Sequence, residues 1–235
     1  MNSLPKISVP SYSLTIPSNN IEITYRPYLI REEKVLLMAI ESEDGKQMEQ
    51  AIVSIINECT NYKGDAGDLP SYDVEYIFIK LRSISVGETV DIIKICDECS
   101  HHNEVALNLA KAELVNNEKV VNVINLTDEF SLELAHNSVN DKLQFSDEET
   151  DTEVLIRSAA AALITVYNGG DVFDARDISI KDRIEFIEGL SSLQFNQVID
   201  FLLNTPYIQY NDSFVCTKCG HKHDFEYSGL MDFFI

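Results

Sequence analysis

The sequence contains no tryptophan and is short of positive charge. Its 18 lysines and arginines face 39 aspartates and glutamates, for a net charge of −21. Binding to a phosphate backbone depends on Lys and Arg displacing counterions, so this balance argues against nucleic acid as the main partner. The basic residues are scattered singly, usually beside acids, and form no local patch. No apolar run approaches the ~20 residues a bilayer-spanning helix needs, so membrane contact is not expected. Met1-Asn2-Ser3-Leu4-Pro5-Lys6 lacks the basic and then apolar build of a secretory leader, which points to a cytoplasmic protein. Common catalytic patterns are missing too: there is no phosphate-binding G-x-x-x-x-G-K-[ST] loop, no dinucleotide fingerprint after a strand, no H-E-x-x-H and no G-x-S-x-G. His136 is isolated and no pair of carboxylates stands out among the many. The expectation is a protein without catalytic residues and without a small-molecule substrate.

What is present fits a folded chain. It has 235 residues and 45% hydrophobic content, enough for one large domain or two small ones. Tyr12, Leu14 and Ile16 alternate, as do Ile21, Ile23 and Tyr25, and Pro17-Ser18-Asn19-Asn20 between them reads as a hairpin turn. Pro5, Pro10 and Pro17 suggest an extended arm over the first dozen residues, either a loose terminus or a docking segment. A helix is expected over Glu32 to Glu41. Met48, Ala51, Ile52, Ile55, Ile56 and Cys59 keep helical spacing, which puts Cys59 on a buried stripe. Ser71 or Asp73 can cap a third helix bearing Val74, Ile77, Phe78 and Leu81.

The period then shortens. Glu88 to Ile95 and Glu104 to Leu109 read as strands, as do Val120 to Leu126 and Phe130 to Leu134. The acidic stretch Asp147-Glu148-Glu149-Thr150-Asp151 reads as a solvated linker before a helix N-terminus. Thr152 to Tyr167 is Ala-rich and reads as a helix stopped by Asn168-Gly169-Gly170. Ser179 with Asp182 resembles a capping box for a helix reaching Gly189, Gln194 to Asn204 forms another, and a strand is expected from Tyr207 to Val215.

Four of the five cysteines form two C-x-x-C pairs. One lies in Ile95-Cys96-Asp97-Glu98-Cys99-Ser100-His101-His102, the other in Val215-Cys216-Thr217-Lys218-Cys219-Gly220-His221-Lys222-His223. Each reads as strand, C-x-x-C, small turn and strand, which is the form of a zinc knuckle, and two knuckles supply the four thiolates of a closed tetrahedral site. Cys96, Cys99, Cys216 and Cys219 are therefore the candidate ligands of a structural Zn2+. Two separate sites completed by His101 or His102 and by His221 or His223 are an alternative. So is a thiol–disulfide oxidoreductase, although such chemistry usually sets its first Cys at a helix N-terminus rather than between strands. A zinc-ribbon adaptor for transcription or translation would need a basic surface, which the net charge opposes.

Two further stretches carry a resemblance. Tyr25-Arg26-Pro27-Tyr28-Leu29-Ile30-Arg31-Glu32-Glu33-Lys34-Val35-Leu36-Leu37-Met38-Ala39 and Tyr72-Asp73-Val74-Glu75-Tyr76-Ile77-Phe78-Ile79-Lys80-Leu81-Arg82-Ser83-Ile84-Ser85-Val86-Gly87-Glu88 resemble the baseplate hub proteins of T-even-like tailed bacteriophages. The likeness continues through both cysteine pairs to Gly229-Leu230-Met231-Asp232-Phe233-Phe234 and is weakest over residues 110–150. That family includes a hub structural subunit and a hub assembly factor. The resemblance implies other baseplate proteins as partners, host cytoplasm as the place of assembly, and the virion tail baseplate as a destination. The Pro-rich arm and Phe233-Phe234 are candidate contacts with neighbours, or pack on their own domain.

The expected architecture is α+β. Residues 1–87 hold the arm, hairpin and helices, residues 88–109 and 207–235 form a zinc-ribbon-like element, and residues 110–206 form a β-pair and helical insert between the two distant knuckles.

Overall fold

A computed structural model describes residues 8–116, 121–146 and 148–229. The chain opens with strands β1 (Tyr12–Thr15) and β2 (Glu22–Tyr25), then helices α1 (Ile30–Ser42), α2 (Gly45–Cys59) and α3 (Ser71–Val86). Strands β3 (Thr89–Ile95), β4 (His102–Asn108), β5 (Glu113–Val115), β6 (Val123–Asn125) and β7 (Phe130–Leu134) follow. Next come α4 (Val139–Leu143), α5 (Asp151–Ala162), β8 (Leu163–Asn168), β9 (Asp171–Asp174), α6 (Ile180–Glu188) and α7 (Ser192–Leu203), and the chain ends on β10 (Tyr207–Val215) and β11 (Lys222–Ser228). Helices and strands are mixed, as expected. The chain divides into two compact units. One takes the residues up to Ala66, then Tyr72–Val115 and everything from Tyr207 on; the other takes Gly67–Ser71 and Asn116–Pro206.

In the first unit, β1 and β2 pair antiparallel, with Asn20 at φ 57° in the turn. Leu14, Ile16, Ile23 and Tyr25 are buried, whereas Tyr12 and Ile21, at the ends of the same alternations, are exposed. β2 runs on against the end of α2, where the Arg26 amide donates to the Cys59 carbonyl at 2.9 Å and the Asn61 amide to the Thr24 carbonyl at 3.0 Å. The strand-to-helix turn is held by charge. Arg26 donates to Glu32 at 3.0 Å and to the carbonyls of Pro27 and Glu58, while Glu32 accepts from Arg31 at 2.6 Å and from the Leu29 amide at 2.7 Å. Burial works against the Glu32 charge, but these donors outweigh it and hold the carboxyl at about 2.

Asp44 caps α2 by accepting from the amides of Lys46 and Gln47. The stripe from Met48 to Cys59 is buried as its spacing predicts, and burial pushes the Cys59 thiol up to about 11, leaving it an inert core residue. Val74, Ile77, Phe78 and Leu81 of α3 are buried too. Asp73 does more than sit in the first turn of α3: it is 0% exposed, and its Oδ1 accepts from the Ser18 amide of the β1–β2 turn at 3.1 Å. Its Oδ2 has no hydrogen-bond partner among the described residues. Burial therefore raises this carboxyl to about 6, against the pull of the Ser18 contact.

β3 pairs with β4 as a hairpin, and β11, β10 and β5 form a three-stranded antiparallel sheet. In that sheet Tyr207 lies opposite Val115. The chain thus leaves the first unit along β5 and re-enters it as the neighbouring strand. Tyr210 of β10 is fully buried; its hydroxyl accepts from the Asn108 amide at 3.1 Å and donates to Asp212 at 2.8 Å, and Asp212 pairs with Lys111.

The second unit is built on a four-stranded antiparallel sheet in the order β6-β7-β8-β9. Its core joins Leu132 and Leu134 of β7, Leu163 and Val166 of β8, Ala159 and Ala160 of α5, and Val198 and Phe201 of α7. Here the sequence reading needs correction. The expected helix from Thr152 to Tyr167 ends at Ala162, and Leu163–Asn168 is a strand paired with β7 on one side and β9 on the other. Ile164, Thr165, Val166 and Tyr167 are β-branched or aromatic and fit a pleated surface better than a helix. Asn168-Gly169-Gly170 is accordingly a hairpin turn, with Asn168 opposite Asp171 and Gly169 at φ 59°, not a helix C-cap. The insert is thus a sheet with helices rather than a β-pair with helices.

The expected pair does exist as β6 and β7, although Val120 lies outside the described residues. Ser179 accepts from the Asp182 amide at the start of α6, and Thr150 and Glu153 form a capping box on α5. Glu149 of the acidic linker pairs with Arg157 at 2.7 Å. Asp147, Pro5 and the tail residues Phe233 and Phe234 lie outside the described residues.

Two buried carboxylates give opposite pH signatures. Glu32 has a folded pKa of about 2 against an ordinary 4.5, so its stabilisation is complete above pH 4.5 and is lost as pH falls towards 2. Glu32→Gln should lower stability by about 1–2 kcal/mol at neutral pH and flatten the acid limb of the denaturation profile. Asp73 has a folded pKa of about 6 against 3.8, so its cost is absent below 3.8, grows between the two values and is full above 6. Asp73→Asn should therefore stabilise the protein by about 2 kcal/mol at pH 7 and leave it unchanged at pH 3.5, as read by urea denaturation at both values.

Candidate metal centre

Both C-x-x-C segments sit at the tips of hairpins in the first unit, one joining β3 to β4 and the other β10 to β11. Their backbones follow one pattern. The Cys96 amide donates to the His101 carbonyl at 2.9 Å and the Ser100 amide to the Cys96 carbonyl at 2.8 Å. The Cys216 amide likewise donates to the His221 carbonyl at 2.8 Å and the Gly220 amide to the Cys216 carbonyl at 2.9 Å. Ser100 at φ 54° and Gly220 at φ 74° occupy the left-handed position that closes each turn. Glycine takes that conformation at no steric cost, whereas Ser100 takes it despite its Cβ.

The fold brings the two tips together. Cys96 Sγ lies 3.6 Å from Cys219 Sγ, and Cys99 Sγ lies 3.6 Å from Cys216 Sγ. All four sulfurs fall within 4.8 Å of one another. A tetrahedron with metal–sulfur bonds of ~2.3 Å has edges of ~3.8 Å, so the cluster has the size of a tetrahedral thiolate site. Cys96 and Cys216 are buried, Cys99 is half-buried and Cys219 is exposed. The four sulfurs can hold one metal ion between them.

Two further residues complete the surroundings, and sequence reasoning missed both roles. Asn103 is 2% exposed. Its side-chain amide donates to the His101 carbonyl at 3.0 Å and lies 3.7 Å from Cys216 Sγ, while its oxygen accepts from the Thr217 amide at 2.9 Å and hydroxyl at 3.0 Å. It thereby pins one knuckle to the other. His223 holds the equivalent position in the second knuckle, seven residues after the first cysteine, and its Nε2 lies 3.1 Å from Cys96 Sγ. Each knuckle thus offers a polar side chain to the leading sulfur of the other. The signal is available in the pairing of the two segments, but asparagine is not a ligand type, and the sequence offers His223 as a ligand or as a turn or surface residue rather than as a neighbour of a sulfur. His101 and His221 reach the cluster through their backbone amides, at Cys99 and Cys219, and among the described residues no sulfur contact is seen for their imidazoles or for that of His102.

Behind the tips the hairpins are joined by aromatic packing. Lys94 of β3 sets its ammonium 4.3 Å from the ring centre of Tyr227 and 4.9 Å from that of Phe225, both on β11. Phe214 stacks on His223 at 4.8 Å, which fixes the imidazole beside Cys96.

Crowding four sulfurs divides their protons unequally. Burial opposes ionisation of Cys216, but the Cys219 and Lys218 amides and neighbouring thiols bring it below its ordinary value. The His101 amide favours the Cys99 thiolate, yet burial and the surrounding sulfurs push that thiol up. Four thiolates at this spacing need a cation among them, and a bound metal deprotonates its thiols outright.

No curated protein and no solved structure matches the chain. Its sequence does match, over residues 9–235, the family described as T4 bacteriophage base plate protein. That span takes in both units and all four clustered cysteines, and the chain belongs to this family of phage baseplate proteins.

Proposed function

We propose that the chain is a baseplate hub component, or a factor that assembles the hub, and that Cys96, Cys99, Cys216 and Cys219 hold a structural Zn2+. The observation that carries this reading is the joining of the family match to a closed four-sulfur cluster. Four thiolates fill a tetrahedral zinc, leaving no position for water or substrate, so the metal contributes stability and no reaction. In this reading the protein works by binding other baseplate proteins in the host cytoplasm and is carried to the virion tail. It needs neither nucleic acid nor a small-molecule substrate. The thiol–disulfide oxidoreductase alternative is disfavoured because both pairs lie between strands, away from a helix N-terminus.

The role of the zinc follows from connectivity. The last hairpin of the first unit is separated in sequence from the rest of it by Asn116–Pro206, and is held there through the short β5–β10 ladder, the Tyr210, Lys111 and Asn103 contacts, the aromatic packing and the sulfur cluster. Binding energy at such a site is folding energy.

The purified protein should contain about one zinc per chain, with four thiols becoming reactive only on chelation. No metal together with four freely reacting thiols at the outset would sink the zinc reading, and iron in place of zinc would correct the choice of metal. Chelation should raise hydrogen exchange in β3, β4, β10 and β11 while leaving the sheet of the second unit protected. Asn103→Ala should keep the one-to-one stoichiometry but release zinc to a competing chelator with about 10-fold weaker affinity, since it removes the contacts that orient the knuckles.

A further inference from the structure

Helix α1 has more apolar surface than the first unit covers. Of its 13 residues only Glu32, Leu36 and Ala39 are buried, and it packs chiefly on α2. Ile30 is 78% exposed, Leu37 52% and Met38 59%. These stand at i, i+7 and i+8, so they share one face, with Lys34 and Glu41 at i+4 and i+11 between and beyond them. Val35 and Ile40, also exposed, flank that face. A single exposed leucine needs no explanation, but three large apolar side chains on one helix face, each more than half exposed, form a strip that calls for cover.

The end of the same helix is electrostatically unbalanced. Its last turn contains no basic residue, and Glu41 and Glu43 are exposed around a helix C-terminus, where the macrodipole disfavours negative charge; Asp44, also exposed, is already engaged as the cap of α2. An apolar strip ending in an acidic cluster calls for a complementary surface that is apolar along its length and basic at one end. A second copy of this chain does not supply it: each copy carries a net charge of −21, and its own exposed α1 ends in the same acids.

We propose that the Ile30, Leu37 and Met38 face of α1 docks a different baseplate protein, whose apolar helix or groove covers the strip and whose Lys or Arg residues meet Glu41 and Glu43. The proposal rests on the baseplate reading above and names the surface through which it acts.

The test uses the full chain, as isolated with its metal, against each purified baseplate protein of the same phage in turn by calorimetry. The parent should bind at least one of them, with an affinity that falls as salt rises. Leu37→Lys/Met38→Lys and Glu41→Lys/Glu43→Lys should each weaken that binding at least about 10-fold while the thiols stay protected, the first pair melting as the parent does and the second no lower than it. Val172→Lys, at an exposed position in the second unit, should bind as the parent does. If both α1 variants bind like the parent, the surface assignment is overturned and the baseplate reading stands. Concentration-dependent dimers of the parent that Leu37→Lys/Met38→Lys abolishes would assign the face to a second copy and overturn the proposal. A parent that binds none of the baseplate proteins would overturn the baseplate reading, and the docking face with it.

Discussion

A domain interrupted by another has to be closed across the gap, and here the closure falls on a few side chains. Cys99 and Cys216 are 117 positions apart, yet their sulfurs stand 3.6 Å from each other. The β5–β10 ladder brings the two halves of the first unit alongside one another, but its register covers only Tyr207 to Gln209 on β10. Beyond that, β10 continues with β11 alone, and among the contacts joining this hairpin to β3, β4 and the turn between them are the Tyr210 hydroxyl on the Asn108 amide, Lys94 on Phe225 and Tyr227, the Asn103 bridge to Thr217, His223 beside Cys96, and the four sulfurs. A single cation bound at the sulfurs would replace mutual repulsion with four bonds, a larger effect than any one hydrogen bond in that list. The near-identical backbone of the two knuckles fits this task, since each must present two sulfurs and leave its turn amides bonded.

The polar groups buried elsewhere in the first unit act in different directions. Glu32 is surrounded by donors, so its charge is compensated where it stands and sets the angle at which β2 passes into α1. Asp73 is buried with one oxygen bonded to Ser18 and one without a partner, a cost accepted where the β1–β2 turn meets α3. Its single bond nonetheless places the turn on the helix, which is a matter of specificity more than of stability.

Legibility in the sequence varied with the number of independent signals at each element. α2 was readable because six apolar residues from Met48 to Cys59 keep one period; its cap at Asp44 emerged only from the structure. α6 was readable from Ser179 and Asp182. The cysteine pairs were readable because spacing, flanking strands and the small residue at Ser100 or Gly220 all agreed. The end of α5 failed for the opposite reason. Ala159 to Ala162 favours helix, Leu163 to Tyr167 favours strand, and Asn168-Gly169-Gly170 suits either a C-cap or a tight hairpin. Only the pairing of β8 with both β7 and β9 decides between them, and such pairing is a property of the whole sheet. Asn103 was missed because its importance depends on Thr217, far away in sequence.

The composition and the surface of α1 bear on one problem. A protein meant to join a larger body must expose apolar area, and exposed apolar area invites self-association. The imbalance of 39 acids to 18 bases opposes that outcome, because two copies of like net charge repel one another on approach. Repulsion of this kind does not act against a partner with a basic rim, so the same charge that keeps copies apart favours the heteromeric encounter. Selectivity then comes from a repulsive element and an attractive one together: the acids at the end of α1 reject the wrong partner, while Ile30, Leu37 and Met38 provide the area that holds the right one. On this argument the excess of negative charge is part of the binding specificity, even though no catalytic or nucleic-acid role called for it.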